Sequence, residues 1–194
     1  MQSFGRAFKA AYGLSPGAFR GSGSEDAPQL LKRDGAKEMF EVVIETAPAR
    51  HLATMPHRGP YIEVGQAFEA ASAIIGARQL SGQVRAMVGV YYDDPAAVPA
   101  GDLRSCAGFE LAAGLACPEG MEPVDLAAGE VARLRFRGPY AGLQRGYEFL
   151  YGSWLPSSGR EPADAPVFEV YRNTPRDVPP GDLITDICLP LKPE

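Results

Sequence analysis

Histidine is almost absent from this chain: two of 194 residues, His51 and His57. Both fall on one predicted strand with no third ligand nearby, which excludes a histidine-rich metal centre. Cysteine is scarce as well. Cys106, Cys117 and Cys188 are odd in number and show no CxxC spacing. Neither a disulfide framework nor a thiolate zinc site is expected, and a reducing cytoplasm is the expected compartment. No Ser-His-Asp or Cys-His set is arranged for nucleophilic catalysis. No apolar run approaches the roughly 20 residues that cross a bilayer, and the N-terminal MQSFGRAFKAAYG lacks the apolar stretch of a secretory signal. No metal, no cofactor and no membrane association are expected.

Turn-forming residues are plentiful instead, with 22 glycines and 18 prolines. They favour many short elements over a few long helices. A hydrophobic share of 45% against 22% charged residues is that of an ordinary globular chain. The net charge of −5 is unevenly spread: residues 1–37 carry six Lys/Arg and three Asp/Glu, so the remainder is strongly acidic. An acidic body is a poor match for phosphate backbones but attracts cationic small molecules or basic protein surfaces. Arg133, Arg135 and Arg137 make one basic strand face, read as solvent-exposed and balanced by nearby acids.

An internal duplication organises that body. Arg-Gly-Pro-Tyr occurs at 58–61 and again at 137–140. VYYDDPAAVPAGDLRSCAGFEL (90–111) aligns with VYRNTPRDVPPGDLITDICLPL (170–191), nine of 22 positions being identical, where average composition gives roughly one or two. FEVVIE (40–45) aligns with MEPVDL (121–126). The units span 40–111 and 121–191. Each reads as strand–strand–helix–strand–strand. In 130–138, Val131, Arg133 and Arg135 alternate with Ala132, Leu134 and Phe136, the period of a half-buried strand. Pro60 and Pro139 then end a strand, having no N–H for the ladder. Helices are predicted at 61–77 and 140–154; in the second, Leu143, Tyr147, Leu150, Tyr151 and Trp154 form one apolar stripe. The fold class is α+β: a tandem pseudo-twofold duplication with mainly antiparallel sheet. The two units are expected to pack face to face. Residues 1–20 read as a separate helical remnant, and the Gly-, Ser- and charge-rich stretch 21–37 as a linker.

Where the repeats differ is informative. Val167, Glu169 and Tyr171 share a strand face, and their equivalents are Met87, Gly89 and Tyr91. Both units present a tyrosine there, but only the second has a carboxylate, opposite a gap left by Gly89. A carboxylate between aromatic walls suits a lipophilic cation, through charge pairing and cation–π contact. The candidate ligand-binding residues are Glu169, Tyr171, Tyr91, Trp154, Tyr147 and Gly89. Tyr147 and Trp154 lie on the helix stripe, where core and ligand wall are both open readings. Asp93 and Asp94 read as turn residues, and Asp102 and Asp182, at matched Gly-Asp-Leu positions, as a structural turn or cap.

Phe4, Arg6, Phe8, Lys9, Gly13, Ser15, Pro16 and Arg20 resemble the close of the second helix-turn-helix in AraC-type transcriptional regulators. The body, 38–194, resembles the GyrI-like effector-binding domain often fused to such regulators. That resemblance rests on Arg58-Gly-Pro-Tyr61, Val88-Gly-Val-Tyr-Tyr-Asp-Asp-Pro95, Leu150-Tyr-Gly-Ser-Trp154, Phe168-Glu-Val-Tyr171, Pro180-Gly-Asp-Leu183 and Thr185-Asp-Ile187. It implies a small organic, often cationic, ligand held between the halves by a strand glutamate and aromatics, a multidrug-binding module in transcription regulation. Some GyrI-like proteins are hydrolases of strained, cyclopropane-bearing compounds, and in that alternative Glu169 is the general base; others are gyrase inhibitors acting through protein contact. Binding without catalysis is the expectation here. Only the last two helices of an AraC-type DNA-binding region are present, so specific DNA binding by this chain is not expected. A truncated regulator, a stand-alone protein and a homodimer all remain open.

Overall fold

The alternation along Gly129–Arg137 gives one apolar and one charged face, and a single sheet uses both. The computed structural model describes residues 40–193; the AraC-like segment 1–20 and the linker 21–37 lie outside the described residues. Repeat one supplies β1 (Val42–Ala47), β2 (Arg50–Arg58), α1 (Gly65–Ala77), β3 (Val84–Tyr91) and β4 (Arg104–Leu111). Repeat two supplies β5 (Glu122–Leu126), β6 (Gly129–Arg137), β7 (Val167–Tyr171) and β8 (Ile184–Pro190). Its helical segment is α2 (Leu143–Phe149), a π-helical turn (Leu150–Trp154) and α3 (Leu155–Ser158), so it runs four residues beyond the expected end at 154.

The strands form one eight-stranded sheet in the order β1-β6-β8-β7-β3-β4-β2-β5, every neighbouring pair antiparallel. Exchanging each strand for its repeat equivalent reverses this order onto itself, which is the expected pseudo-twofold relation. The expected face-to-face packing is corrected: the halves join edge to edge through β3 and β7. An unpaired β3 or β7 would leave a row of unsatisfied backbone groups, and the seam satisfies both. The first strands are also exchanged between halves, β1 pairing with β6 and β5 with β2. At the seam Met87 opposes Tyr171, Gly89 opposes Glu169 and Tyr91 opposes Val167. The pseudo-twofold axis therefore passes through the Gly89–Glu169 pair.

The helices lie on one face of the sheet. Ala71 and Ile75 of α1 pack on Ala53 and Phe109 of the sheet, and Leu150 and Leu155 of the second helical segment pack on Leu134, Phe136 and Ile187. Gly146 on α2 permits a close approach, since a Cβ there would lie 2.9 Å from Ile187 Cδ1. The opposite face has its own cluster, including Leu52, Val88, Val90, Val131, Phe168 and Val170, with members from all eight strands.

The duplicated motif is the corner of each unit. Gly59 and Gly138 take φ of 137° and 141°, which a side chain would oppose. Their N–H groups donate to the carbonyls of Leu103 and Leu183, both at 2.9 Å. Arg58 pairs with Asp102 at 2.7 Å and Arg137 with Asp182 at 2.6 Å, so the Arg-Gly-Pro-Tyr and Gly-Asp-Leu motifs recur because they clasp each other. These pairs are exposed and contribute little individually.

The basic strand face is only partly the exposed one expected. Arg133 is mostly buried, and Asp186 on β8 is fully buried with Arg135 and Arg172 each at 2.7 Å and Arg133 at 3.8 Å. Burial pushes the Asp186 carboxyl up, and the Arg135 and Arg172 forks more than reverse this, leaving it below the usual carboxylate range. Repeat one has Cys106 and Tyr92 in these places, joined at 3.3 Å. Asp186→Asn is expected to lower stability by about 1–3 kcal/mol at neutral pH, the cost of breaking a charged hydrogen-bond set. A depressed folded-state pKa contributes stability above the unfolded value, and this is lost as pH falls. The difference from wild type in urea denaturation should therefore shrink below about pH 4.

Candidate functional site

Glu169 projects from the middle of β7 onto the helix-covered face, on the pseudo-twofold axis, and is 3% exposed. Three tyrosine hydroxyls donate to it. Tyr147, from α2, donates to Oε1 at 2.7 Å. Tyr171, two residues along β7, and Tyr91, across the seam on β3, reach Oε2 at 2.5 and 3.1 Å. The Tyr91 and Tyr171 hydroxyls also meet each other at 2.8 Å. Strand alternation puts Tyr171 on the same face as Glu169, the duplication supplies Tyr91, and the helix stripe brings Tyr147 over both.

Burial raises the Glu169 carboxyl above the usual range, and the three hydroxyls, Tyr171 first, pull it part of the way back. Among the described residues, no cation is one of the groups that act on it. The tyrosines respond in kind: burial first, then the negative charge of Glu169, holds Tyr91, Tyr147 and Tyr171 well above the phenolic range. They remain neutral donors at any ordinary pH. Among the described residues, the buried carboxyl group is met by hydroxyl dipoles and by no counter-ion.

Further rings surround this group. Tyr61 and Tyr140, the tyrosines of the two Arg-Gly-Pro-Tyr motifs, stand edge-on to Tyr91 at 4.9 Å and to Tyr171 at 5.4 Å. Phe68 of α1 meets Tyr171 at 5.2 Å, and Tyr151 stacks on Tyr147 at 6.5 Å with the rings 7° from parallel. Sequence reasoning overlooked Tyr61, Tyr140 and Phe68. The signal for the first two was present, because the motif was repeated with its tyrosine intact.

Of the six predicted residues, the structure brings Glu169, Tyr171, Tyr91 and Tyr147 into one hydrogen-bonded group. Trp154 lies elsewhere on the segment, in the π-helical turn, packed against the apolar cluster of Leu134, Phe136, Leu150 and Leu155. Gly89 does oppose Glu169, but the expected gap is filled. The Tyr91 ring folds back over it, with its hydroxyl 3.0 Å from where a Cβ would stand. The expected hollow between halves is likewise replaced, at the carboxylate itself, by tyrosines closed directly upon it. The reason is electrostatic: a buried carboxylate without a counter-ion recruits whatever donors are within reach.

The remaining candidates resolve simply. His51 is exposed and sits 2.6 Å from Asp125 Oδ1, while His57 Nδ1 is 3.1 Å from Ser105 Oγ. Asp93 accepts from the Arg104 backbone N–H at 2.7 Å and from its side chain, and Asp94 caps the Ala96 N–H at 2.8 Å, so both are turn residues. Among the described residues, no group of three or more His, Cys, Asp or Glu is placed to hold a metal ion, and no helix is long and apolar enough to cross a membrane.

Comparison with known proteins shows the family and the fold. The family model of the GyrI-like small molecule binding domain matches residues 40–192. The structure is similar to the crystal structure of the EcmrR C-terminal domain, with a TM-score of 0.68, 13% identity, and coverage of 80% of this chain and 99% of that one. It is similar to EcmrR in complex with DNA, with a TM-score of 0.66 at 14% identity, covering 80% of this chain and 58% of that longer one. It also resembles SAV2435 bound to tetraphenylphosphonium, with a TM-score of 0.58, 14% identity, and coverage of 78% and 94%. At these identities the likeness is one of fold.

Proposed function

Because the chain belongs to the GyrI-like small molecule binding domain family, we propose that it binds hydrophobic organic cations at Glu169, as the effector-binding part of an AraC-type transcription regulator. The observation that supports this reading is a buried carboxyl group that has no counter-ion among the described residues. Such a group is expensive to maintain in a fold unless something charged comes to it. A permanent, lipophilic cation sheds its hydration easily, gains the full charge of Glu169 at low dielectric, and meets the faces and edges of Tyr91, Tyr147 and Tyr171. A small hydrated cation gains much less from aromatic walls. The neighbour SAV2435, seen with tetraphenylphosphonium, supports this choice of chemistry. The neighbour EcmrR, seen with DNA, supports a regulatory setting.

The tyrosine hydroxyls already donate to the carboxylate, so the incoming cation takes over charge compensation from them. Tyr147 is the one of the three that stands on a helix, a short α2 followed by a π-helical turn of the kind frequent at functional sites. Titration of the chain with tetraphenylphosphonium, followed by calorimetry and by Trp154 fluorescence, is expected to show one saturable site per chain. Trp154 sits on the same helical segment as Tyr147 and so reports its movement. Absence of both heat and fluorescence change across a panel of lipophilic cations would overturn the reading.

A further inference from the structure

Charge does not account for two hydroxyls beside Tyr171. Thr185 lies on β8 directly opposite Tyr171 and is fully buried, yet its Oγ1 has no hydrogen-bond partner among the described residues. The hydroxyl of Tyr140 is also buried and unpartnered, and its ring stands edge-on to Tyr171. A buried hydroxyl in this state has given up water with no return, which native structures rarely tolerate without a reason. Both lie around the same tyrosine that donates to Glu169 at 2.5 Å.

The duplication supplies an internal control. In repeat one the equivalent hydroxyls are those of Tyr61 and Ser105, and both are satisfied. Tyr61 donates to the Asp93 carbonyl at 2.8 Å and accepts from the Asp93 N–H at 3.0 Å. Ser105 is held by His57 at 3.1 Å. Repeat two retains the two hydroxyls but not their hydrogen bonds. Phe136 stands opposite Thr185 where His57 stands opposite Ser105. Asn173 stands at the place of Asp93, yet the Tyr140 hydroxyl makes no bond to its backbone of the kind that Tyr61 makes to the Asp93 backbone. The hydroxyls lose their partners only in the half whose strand carries the carboxylate.

We propose that Tyr140 and Thr185 form a hydrogen-bonding subsite for an oxygen-bearing arm of the ligand. The preferred ligands are then organic cations that also carry a hydroxyl, carbonyl or ether oxygen. Each hydroxyl has one proton to give and lone pairs to accept, so a ligand hydroxyl can satisfy both roles. Tyr140 is only half-buried, so the arm has a way in past its ring. A purely hydrocarbon cation leaves both hydroxyls unpaired and is bound by charge and ring contacts alone. Discrimination of this kind is the strong kind, since the penalty for a missing ligand oxygen falls on buried protein groups.

This inference rests on the reading that the cation sits at Glu169, and the experiment separates the two. The probes are (3-hydroxypropyl)triphenylphosphonium and n-butyltriphenylphosphonium, which differ by one oxygen for one carbon. Calorimetry is run with the full chain as wild type, Tyr140→Phe, Thr185→Val and the double variant. Wild type is expected to favour the hydroxypropyl compound by about tenfold, the scale of one good hydrogen bond. The ratio of the two affinities should fall to about one in the double variant. Melting temperatures should hold or rise, because each substitution keeps the packing and removes only an unpaired hydroxyl. A wild type that does not prefer the hydroxypropyl compound, or a preference that survives in the double variant, overturns the subsite while leaving Glu169 as the cation site. Failure of both probes to bind wild type overturns both readings.

Discussion

Glu169→Gln is expected to abolish most of the affinity for tetraphenylphosphonium and, at the same time, to raise the melting temperature at neutral pH. The first effect follows from removing one member of a buried charge pair, about 2–5 kcal/mol, or roughly 30- to 4,000-fold in Kd. The second follows from the direction of the Glu169 shift. Its carboxyl is held above the ordinary value, by burial first, with the hydroxyls of Tyr171, Tyr147 and Tyr91 opposing. A carboxyl with a raised folded-state pKa binds its proton more tightly folded than unfolded. The associated stability is therefore present below the unfolded value and is lost as pH rises through the folded one. At neutral pH the wild type bears the cost of this raised pKa, as buried charge or as proton uptake, and glutamine does not. Below about pH 4 the two proteins should melt alike. Cation binding runs the opposite way. It requires the ionised form, so wild-type affinity should fall by about tenfold per unit once pH drops below the folded-state pKa, while the weak binding of Glu169→Gln stays flat. A variant that loses both binding and stability, or one that binds as well as wild type, would sink the account of Glu169. Loss of function with a gain in stability separates a site residue from a merely structural one.

That pairing of effects explains why so much of the site was legible in the sequence. A lone carboxylate in one repeat against a glycine in the other is an asymmetry inside a duplication, and it needs no coordinates to be noticed. Alternation then places Tyr171 and Tyr91 on the same face. What alternation leaves open is which strands become neighbours. Period-two patterning assigns faces, whereas pairing depends on contacts far apart in the chain. The edge-to-edge seam of β3 with β7 and the exchange of β1 and β5 are long-range choices of that sort, and face-to-face packing was an equally consistent expectation. Gly89 was read as a gap because a glycine has no side chain of its own; that the Tyr91 ring covers it is a matter of rotamer. Trp154 shares the apolar stripe of Tyr147, but the π-helical turn between them breaks the regular helical period on which the stripe was drawn. Tyr61 and Tyr140 were hidden for a different reason. The proline beside each is so strong a strand terminator that it accounts for the motif by itself, and the tyrosine after it then needs no explanation. The two unpaired hydroxyls are the least legible feature, since being unpaired is a property of surroundings and not of residue type.

Gly108→Ala is expected to cost about 3 kcal/mol or more in urea denaturation, at the upper end of overpacking substitutions. Gly108 lies on β4 opposite Thr54 of β2, and a Cβ added there would stand 2.0 Å from the Ala53 carbonyl oxygen and 2.7 Å from Thr54 Cα. Both are backbone atoms held in a ladder, so neither can turn away as a side-chain tip could. The ladder itself must open. The equivalent position in repeat two is Cys188, buried on the same face, so the close approach belongs to repeat one alone. A control isolates geometry from glycine chemistry. Gly76 near the end of α1 has nothing within 4 Å of its absent Cβ, and Gly76→Ala is expected to leave stability unchanged or to raise it by up to about 1 kcal/mol through helix propensity. Near-equal effects of the two substitutions would refute the clash. The consequence reaches the binding site by a short route. Gly108 also opposes Val88, and Ala107 opposes Gly89, so β4 holds β3 at the point where Tyr91 is aimed at Glu169. If β4 moves off β2, β3 moves with it, and the Tyr91 hydroxyl leaves its 3.1 Å contact with the carboxylate. Any folded Gly108→Ala protein should therefore bind cations more weakly than wild type, although Gly108 lies on the opposite face of the sheet from the site.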